Sequence, residues 1–161
     1  MRRWAITALL PLTIGLTTPA WAGDVEDCNN SAALLKTAPV QAVAACSHLA
    51  EQGVAPAQYK LGEMYAKGEG LPEDDVEAIK WWRKSADQNY RDAQHNLAVS
   101  YYTGEDVAQD YVQAYLWWSL AAAHGDADAV KDRDNVASKM TPAQIEQGKA
   151  LVAAWKPKTG Q

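Results

Sequence analysis

One fifteen-residue segment occurs twice in the chain and indicates how it folds. Residues 57–71 read AQYKLGEMYAKGEGL, and residues 93–107, at an offset of 36, read AQHNLAVSYYTGEDV. The offset continues without a gap through the tryptophan pairs at 81–82 and 117–118. Self-similarity at a fixed period of about 20 to 50 residues is typical of repeat proteins, in which each unit packs on the next. The matched large residues are therefore predicted to form the core: Leu61, Tyr65, Trp81, Trp82, Leu97, Tyr101, Trp117 and Trp118.

Each copy of the repeat predicts two helices. Leu61, Met64 and Tyr65 recur at spacings of three and four, which places them on one face of a first helix. Gly68 follows the last of them, where a left-handed residue would end the helix. Asp74 then stands where its side chain would cap a second helix. Because sustained alternation of apolar and polar residues is missing from the sequence, the expected fold class is all-α.

The flanking segments look like incomplete units. The same offset carried backwards makes residues 39–52 a partial leading unit, and residues 127–155 form a last unit that has diverged. Terminal repeats are expected to diverge because one of their faces meets water. We therefore expect an N-terminal segment at 23–38, a repeat solenoid at 39–155 and a tail at 156–161. The full repeats are expected at about 57–92 and 93–128.

The repeat resembles a known family. Residues 57–71, followed by Asp74, Ala78, Trp81 and Ala86, resemble the Sel-1-like repeat, a relative of the tetratricopeptide repeat. The resemblance implies a right-handed α-α superhelix of antiparallel helix pairs, in which the first helix of each pair lines a concave surface. It also implies an adaptor role, since members generally bind other proteins. Exported bacterial members include signalling regulators, host-interaction factors and proteins similar to toxin-immunity partners.

The second unit departs from this pattern at two positions. Ala98 stands where the first unit has Gly62, and Asp106 stands where it has Gly70. The first change bears on the spacing of the two helices, and the second on the shape of the loop between them.

Recognition is expected at first-helix positions that differ from unit to unit. By resemblance to the tetratricopeptide groove, these positions are Tyr59, Glu63, Lys67, Asp92, His95, Val99, Tyr102, Lys131 and Asn135. Core positions must repeat from unit to unit, whereas positions on a surface that recognises one particular partner can differ. Tyr59, His95 and Tyr102 are the strongest candidates because aromatic side chains contribute most to interface energy. The alternative for each of these residues is plain solvent exposure.

The tryptophan pairs allow a second interpretation. Exposed indoles could stack on a sugar or an aromatic ligand. Their recurrence at the repeat period on an apolar face favours core packing instead.

The first 22 residues have the pattern of a secretory signal peptide. Arg2 and Arg3 precede an apolar run at 4–16, and Ala20-Trp21-Ala22 supplies a cleavage triplet. The run is shorter than the roughly 20 residues that cross a bilayer. We expect Sec-type export, cleavage after Ala22, a periplasmic or secreted product and no stable membrane insertion afterwards. An uncleaved anchor is the alternative.

Two cysteines, Cys28 and Cys46, fall near the start of the expected mature chain. An even cysteine count in an exported protein predicts a disulfide between them. Two buried free thiols are the alternative.

Residues that could carry chemistry are sparse. The three histidines fall in different units, no His-Glu-x-x-His motif occurs and no Gly-x-Ser-x-Gly elbow is present. We therefore expect no catalytic residues, no metal site and no cofactor. A net charge of -5 argues against binding nucleic acid, which relies on basic residues.

The expected function is that of a non-catalytic scaffold for protein–protein interaction. It would be an exported adaptor or inhibitor that holds a protein or peptide in its concave groove. Alternatives are an immunity protein against a secreted toxin, a small hydrolase acting on cell-wall or beta-lactam substrates, and a structural envelope protein that self-associates. The sequence does not determine the partner or the oligomeric state.

Overall fold

The structure is a computed structural model that describes residues 20–158. The predicted signal peptide lies outside the described residues except for its last three. Helices make up the described part of the chain, which contains no strand: α1 (Ala20–Asn29), α2 (Ser31–Thr37), α3 (Pro39–Glu51), α4 (Ala55–Lys67), α5 (Asp75–Asp87), α6 (Arg91–Thr103), α7 (Tyr111–Ala123), α8 (Ala127–Lys139) and α9 (Pro142–Ala154). The expected all-α fold class is confirmed. Among the helices that the structure describes, none combines the length and the hydrophobicity that a bilayer-spanning segment requires.

Each full repeat is a helix hairpin. The most extensive packing in the molecule joins α4 to α5 and α6 to α7. Gly68 and Gly104 end the first helices in the left-handed conformation, with φ of 63° and 72°. The carboxylates of Asp74 and Asp110 accept hydrogen bonds from first-turn backbone N–H groups of α5 and α7. The same local signals thus begin and end the helices of both units.

Neighbouring units are joined by a buried glutamine that recurs at the repeat offset. The side-chain amide of Gln58 donates to the carbonyl oxygen of Ala50 at 3.1 Å, and that of Gln94 donates to the carbonyl of Ala86 at 3.4 Å. Both glutamines are buried. Each therefore ties a first helix to the end of the preceding second helix, a role that the sequence analysis did not assign.

Buried side chains form two clusters. One joins α1, α3 and α4, and the other joins α5 to α8, with side chains of α9 packed against it. Four of the predicted core residues are at most 3% exposed: Leu61, Leu97, Trp117 and Trp118. The other four are partly buried against the clusters: Tyr65, Trp81, Trp82 and Tyr101.

The two departures of the second unit have visible consequences. Gly62 lets the indole of Trp82 lie against the α4 backbone, where a Cβ would come within 2.6 Å of the ring. Gly70 has a φ of 80°, and a Cβ there would lie 2.8 Å from the Val43 side chain. Asp106 does not adopt a positive φ. The loops after α4 and α6 therefore differ in conformation.

The N-terminal helices are tied to the first cluster. Cys28 of α1 and Cys46 of α3 form a disulfide with a Cα–Cα distance of 4.7 Å. The Lys60 ammonium donates to the carbonyl oxygens of Cys28 and Asn29, each at 3.1 Å. These bonds satisfy acceptors at the end of α1, which lack partners within the helix.

The C-terminal helices do not form a third hairpin. α9 packs on α7 and makes few contacts with α8. Gly148 of α9 is buried against Tyr115 of α7, and a Cβ at this glycine would lie 2.6 Å from the tyrosine ring. In α8, Arg133 takes the position of the buried leucines 61 and 97. α8 thus carries a charged side chain at a position that is apolar in both full units.

Candidate interaction face

The predicted recognition residues lie on α4, α6 and α8, the first helices of successive units, and this row is called the first-helix face below. Five of them are partly buried: Tyr59, Glu63, Asp92, His95 and Tyr102. The other four are exposed: Lys67, Val99, Lys131 and Asn135.

Two tyrosines join α4 to the start of α6. The rings of Tyr59 and Tyr90 lie with centroids 5.3 Å apart and planes tilted by 40°. Burial, followed by the negative charges of Glu63 and Asp92, raises the pKa of the Tyr59 hydroxyl well above its usual value. The phenol therefore remains a neutral hydrogen-bond donor throughout the physiological range.

A histidine and an aspartate occupy the matching joint between α6 and α8. His95 Nδ1 lies 3.0 Å from Asp126 Oδ2, and Nε2 lies 3.9 Å from Asp132 Oδ2. The ring also meets Trp118 edge-on, with centroids 6.4 Å apart. Carboxylates thus face both ring nitrogens, an arrangement suited to fixing the ring between two helices.

Asp126 itself caps α8. Burial favours its neutral form, but hydrogen bonds from the Ala129 N–H group and from His95 outweigh burial and hold the pKa of Asp126 below its usual value. The Asp126 carboxylate thus caps the start of α8 and also contacts the His95 imidazole.

Tyr102 stands at the other end of α6, in an aromatic cluster. Its ring centroid lies 5.8 Å from that of Tyr111 and 5.4 Å from that of Trp118. The Lys139 ammonium lies 4.5 Å from the Tyr102 ring centroid and also contacts its hydroxyl. That hydrogen bond lowers the pKa of Tyr102. Lys139 therefore covers part of a ring that the sequence analysis expected to face a partner.

The structure gathers the predicted residues into two groups. Glu63 and Asp92 lie near the Tyr59–Tyr90 pair, and Lys67 joins this group through Glu63, with Lys67 Nζ 3.1 Å from Glu63 Oε1. His95 and Tyr102 share contact with Trp118. Lys131 instead pairs with Asp128 at 2.8 Å and is 76% exposed. Val99 is an exposed apolar residue of α6.

Sequence reasoning missed four residues that complete these groups: Tyr90, Asp126, Asp132 and Lys139. A signal for two of them was present. Tyr90 and Asp126 are 36 residues apart, as are Tyr59 and His95, so the two joints occupy equivalent positions. Lys139 gave no such signal, because its contact with Tyr102 depends on how α8 lies across α6.

Between residues 20 and 158, no three His, Cys, Asp or Glu side chains come together in a way that could hold a metal ion.

Comparisons with known proteins identify the repeat. The model of the Sel1 repeat matches residues 55–90 and 91–126, which contain the α4–α5 and α6–α7 hairpins. The chain therefore carries two tandem Sel1 repeats, and the resemblance drawn from the sequence is confirmed. No curated protein sequence matches the chain.

Two solved structures share the fold. One is a protective antigen present in uropathogenic Escherichia coli strains that displays an SLR fold, with 28% identity over 82% of this chain and a TM-score of 0.75. The other is a Sel1 repeat protein from Oxalobacter formigenes, with 34% identity over 73% of this chain and a TM-score of 0.64. The alignments cover 29% and 51% of those longer chains.

Proposed function

We propose that this Sel1-repeat protein is an exported, non-catalytic scaffold that binds a protein or peptide on its first-helix face. Sel1 repeats commonly mediate protein–protein interactions.

The choice of face rests on one observation. At equivalent positions between successive first helices, the side chains that contact each other differ in chemistry. The Tyr59–Tyr90 pair between α4 and α6 becomes the His95–Asp126 pair between α6 and α8. The structural joints formed by Gln58 and Gln94 are instead the same in both units. Because the glutamine contacts repeat together with the core positions, whereas these pairs do not, the variable pairs support a surface adapted to one particular partner.

Three first helices suit a narrow partner. The resemblance to the tetratricopeptide groove implies that these helices line a short groove, which would hold an extended peptide or one helix of a partner rather than a whole domain. Val99 is 38% exposed on the middle helix. Val99 would give an apolar side chain of the partner an exposed contact on this face.

A matched pair of valines tests the face. A photo-crosslinking amino acid at Val99 of α6 should capture the partner in the source cells, whereas the same group at Val76 of α5 should not. Val76 is also an exposed valine, at 52%, but lies on a second helix. The captured protein would then be purified and its binding measured directly. Equal capture from both positions would contradict the proposal.

A double substitution tests the aromatic residues. Tyr59→Ala with Tyr102→Ala should abolish binding of the purified partner while circular dichroism shows unchanged helix content. Val99→Glu provides a second, less disruptive variant, since the Val99 side chain is already exposed. Unchanged affinity in both variants would exclude this face.

Export is supported by the signal-like first 22 residues and by the Cys28–Cys46 disulfide, which is favoured in oxidising compartments. The expected cleavage after Ala22 falls within α1, and Asp24, which pairs with His48, would remain. N-terminal sequencing of the protein from cell fractions should begin at Gly23. A product that retains its first residues and stays in the cytoplasm would refute export.

The same partner assay separates the remaining roles. A captured toxin that loses activity on binding would identify an immunity protein, and self-capture would identify an envelope component. Turnover of cell-wall or beta-lactam substrates by the purified protein would instead identify a hydrolase.

A further inference from the structure

A cavity lies where the third hairpin would have formed. Because α9 packs on α7 and stands away from α8, a cavity of about 320 Å³ opens between the three helices. α7 lines it with Tyr115 and Ser119, α8 with Arg133, and α9 with Lys149, Val152 and Ala153. This cavity is called the terminal cavity below.

The lining residues are not those of the repeat core. Tyr115 stands where the first unit has the buried Ile79, and Ser119 stands where it has Arg83. Arg133 stands where both full units have a buried leucine. The cavity is therefore specific to this end of the solenoid and does not recur between the full repeats.

The charged groups that line the terminal cavity are both cationic. Arg133 contributes a guanidinium and Lys149 an ammonium, and no carboxylate lines the cavity. Tyr115 and Ser119 add hydroxyl groups, the latter donating to the Tyr115 carbonyl oxygen at 2.6 Å. In a chain of net charge -5, this local excess of positive charge selects for an anionic group.

The present partners of the two cations lie towards solvent. Arg133 pairs with Asp134 at 2.7 Å, and Lys149 pairs with Glu146 at 2.9 Å. The two carboxylate side chains are 66% and 73% exposed. Exposed ion pairs of this kind are weak, so both cations can turn to an anion held in the cavity.

The rest of the wall indicates which anion. Val152 and Ala153 add apolar side chains to the wall, on the same helix as Lys149, and an aliphatic chain can contact them whereas an inorganic ion cannot. At roughly 30 Å³ per water, the volume corresponds to about ten waters, enough for one residue and part of its neighbours. We propose that the terminal cavity binds the carboxylate of an acidic peptide segment. The Arg133 fork would hold the carboxylate, Lys149 would add a second charge, and the methylenes would lie on Val152 and Ala153.

A pair of matched peptides tests this inference. The probe is acetyl-Ala-Glu-Ala-Glu-Ala-amide, and its control carries Gln in place of both Glu residues. In amide NMR spectra of the full chain at low salt, the Glu peptide should shift the signals of Tyr115, Ser119 and Lys149. The Gln peptide should leave them unchanged. Shifts scattered over the surface, or equal shifts with both peptides, would overturn the proposal.

Substitutions assign the effect to the two cations. Arg133→Gln with Lys149→Gln should weaken binding of the Glu peptide at least tenfold. Arg133→Lys should give a smaller loss, because lysine keeps the positive charge but cannot bind the carboxylate with two parallel hydrogen bonds. Lys80→Gln is the matched control. Lys80 forms an exposed pair with Glu77 at the same three-residue spacing, but it lies on α5 away from the cavity. An equal loss in this control would overturn the proposal.

An inorganic anion distinguishes a peptide site from a general anion site. Phosphate at the same concentration should compete poorly with the Glu peptide, because it cannot use the apolar wall. Phosphate that displaces the peptide at equal concentration would overturn the choice of an acidic peptide. The terminal cavity is separate from the first-helix face, so this test is independent of the proposed function.

Discussion

At the scale of single residues, the contact between Gly62 and Trp82 sets how closely α4 and α5 approach. A Cβ on Gly62 would lie 2.6 Å from the Trp82 ring and 3.1 Å from the Ala78 carbonyl oxygen. Neither neighbour can withdraw freely, because the tryptophan is partly buried and the carbonyl belongs to the helix backbone. The first unit therefore needs glycine at a helix position where alanine is ordinarily preferred.

Gly62→Ala should lower the free energy of unfolding by about 1 to 3 kcal/mol, as overpacking does in tight cores. Urea denaturation measures the change. Gly23→Ala is the control, measured in the chain that keeps its first 22 residues so that this glycine lies within α1, because a Cβ there has no neighbour within 4 Å. Combining Gly62→Ala with Trp82→Leu should cost less than the sum of the single changes. Full additivity would contradict a direct contact.

Asn89 is a non-glycine residue with positive φ, at 71°, between α5 and α6. The matching positions in the neighbouring units are Gly53 and Gly125, with φ of 86° and 84°. Asn89 Oδ1 accepts a hydrogen bond from the Gln94 amide at 3.0 Å and lies 2.8 Å from His124 Nε2. The side chain thus offsets the strain of the left-handed conformation.

Two substitutions of Asn89 separate these effects. Asn89→Gly should cost about 0.5 to 1.5 kcal/mol, because only side-chain hydrogen bonds are lost. Asn89→Ala should cost about 1 to 2 kcal/mol more, because a Cβ is disfavoured in the left-handed region. Thermal and urea unfolding of both variants measure the difference. An alanine variant as stable as the glycine variant would show that the loop relaxes.

Much at this scale could be predicted from the sequence. Gly68, Gly104, Asp74 and Asp110 end and begin helices as their residue types predict, since capping depends on nearby backbone. The position of Lys139 over Tyr102 could not be predicted. It joins residues 37 apart and depends on the docking of whole helices.

Among the helices, α8 is capped at its start by Asp126, whose carboxylate makes two kinds of contact. Asp126 caps the helix through the N–H groups of Asp128 and Ala129 and also faces His95 of α6. Its pKa lies below the usual value. A carboxyl with a lowered pKa stabilises the folded state above its unfolded pKa, and this stabilisation is lost as pH falls through the folded value.

Asp126→Asn should reduce the acid sensitivity of the protein. Asparagine is also a good cap, so the substitution removes mainly the charge. The free energy of unfolding of the wild type should fall more steeply than that of the variant as pH decreases from about 5 towards 2. Urea titrations at each pH provide the measurement. Asp128→Asn, in the same turn but 77% exposed, is the control for loss of a surface charge. Identical slopes for wild type and Asp126→Asn would refute this assignment.

In the whole molecule, the buried side chains form two separate clusters along the solenoid, so each helix interacts mainly with its neighbours. One cluster ends at α4 and the other begins at α5, and the α4–α5 hairpin links them. In such proteins stability is close to a sum over units and their interfaces. A defect in one cluster should therefore be felt mainly in that cluster.

Leu49→Ala tests this division. Leu49 is 5% exposed in the first cluster, and its truncation should cost about 2 to 5 kcal/mol. Hydrogen exchange should then show lost protection in α3 and α4, while α7 and α8 stay protected. Leu120→Ala, at a 7% exposed position of the second cluster, should give the reverse pattern. Uniform loss of protection in either variant would indicate a single cooperative unit.

The two hairpins, their caps and their stacking follow from the repeat alone, because periodic apolar positions and a constant offset of 36 specify the same local structure in both units. The arrangement of the ends does not follow from the repeat and is set by contacts between distant segments. α1 is bound to α3, α9 turns onto α7, and Lys158 reaches back to Asp87 across 71 residues of sequence. Terminal helices have no repeated neighbour to follow, so their positions depend on long-range packing. The terminal cavity arises from that packing.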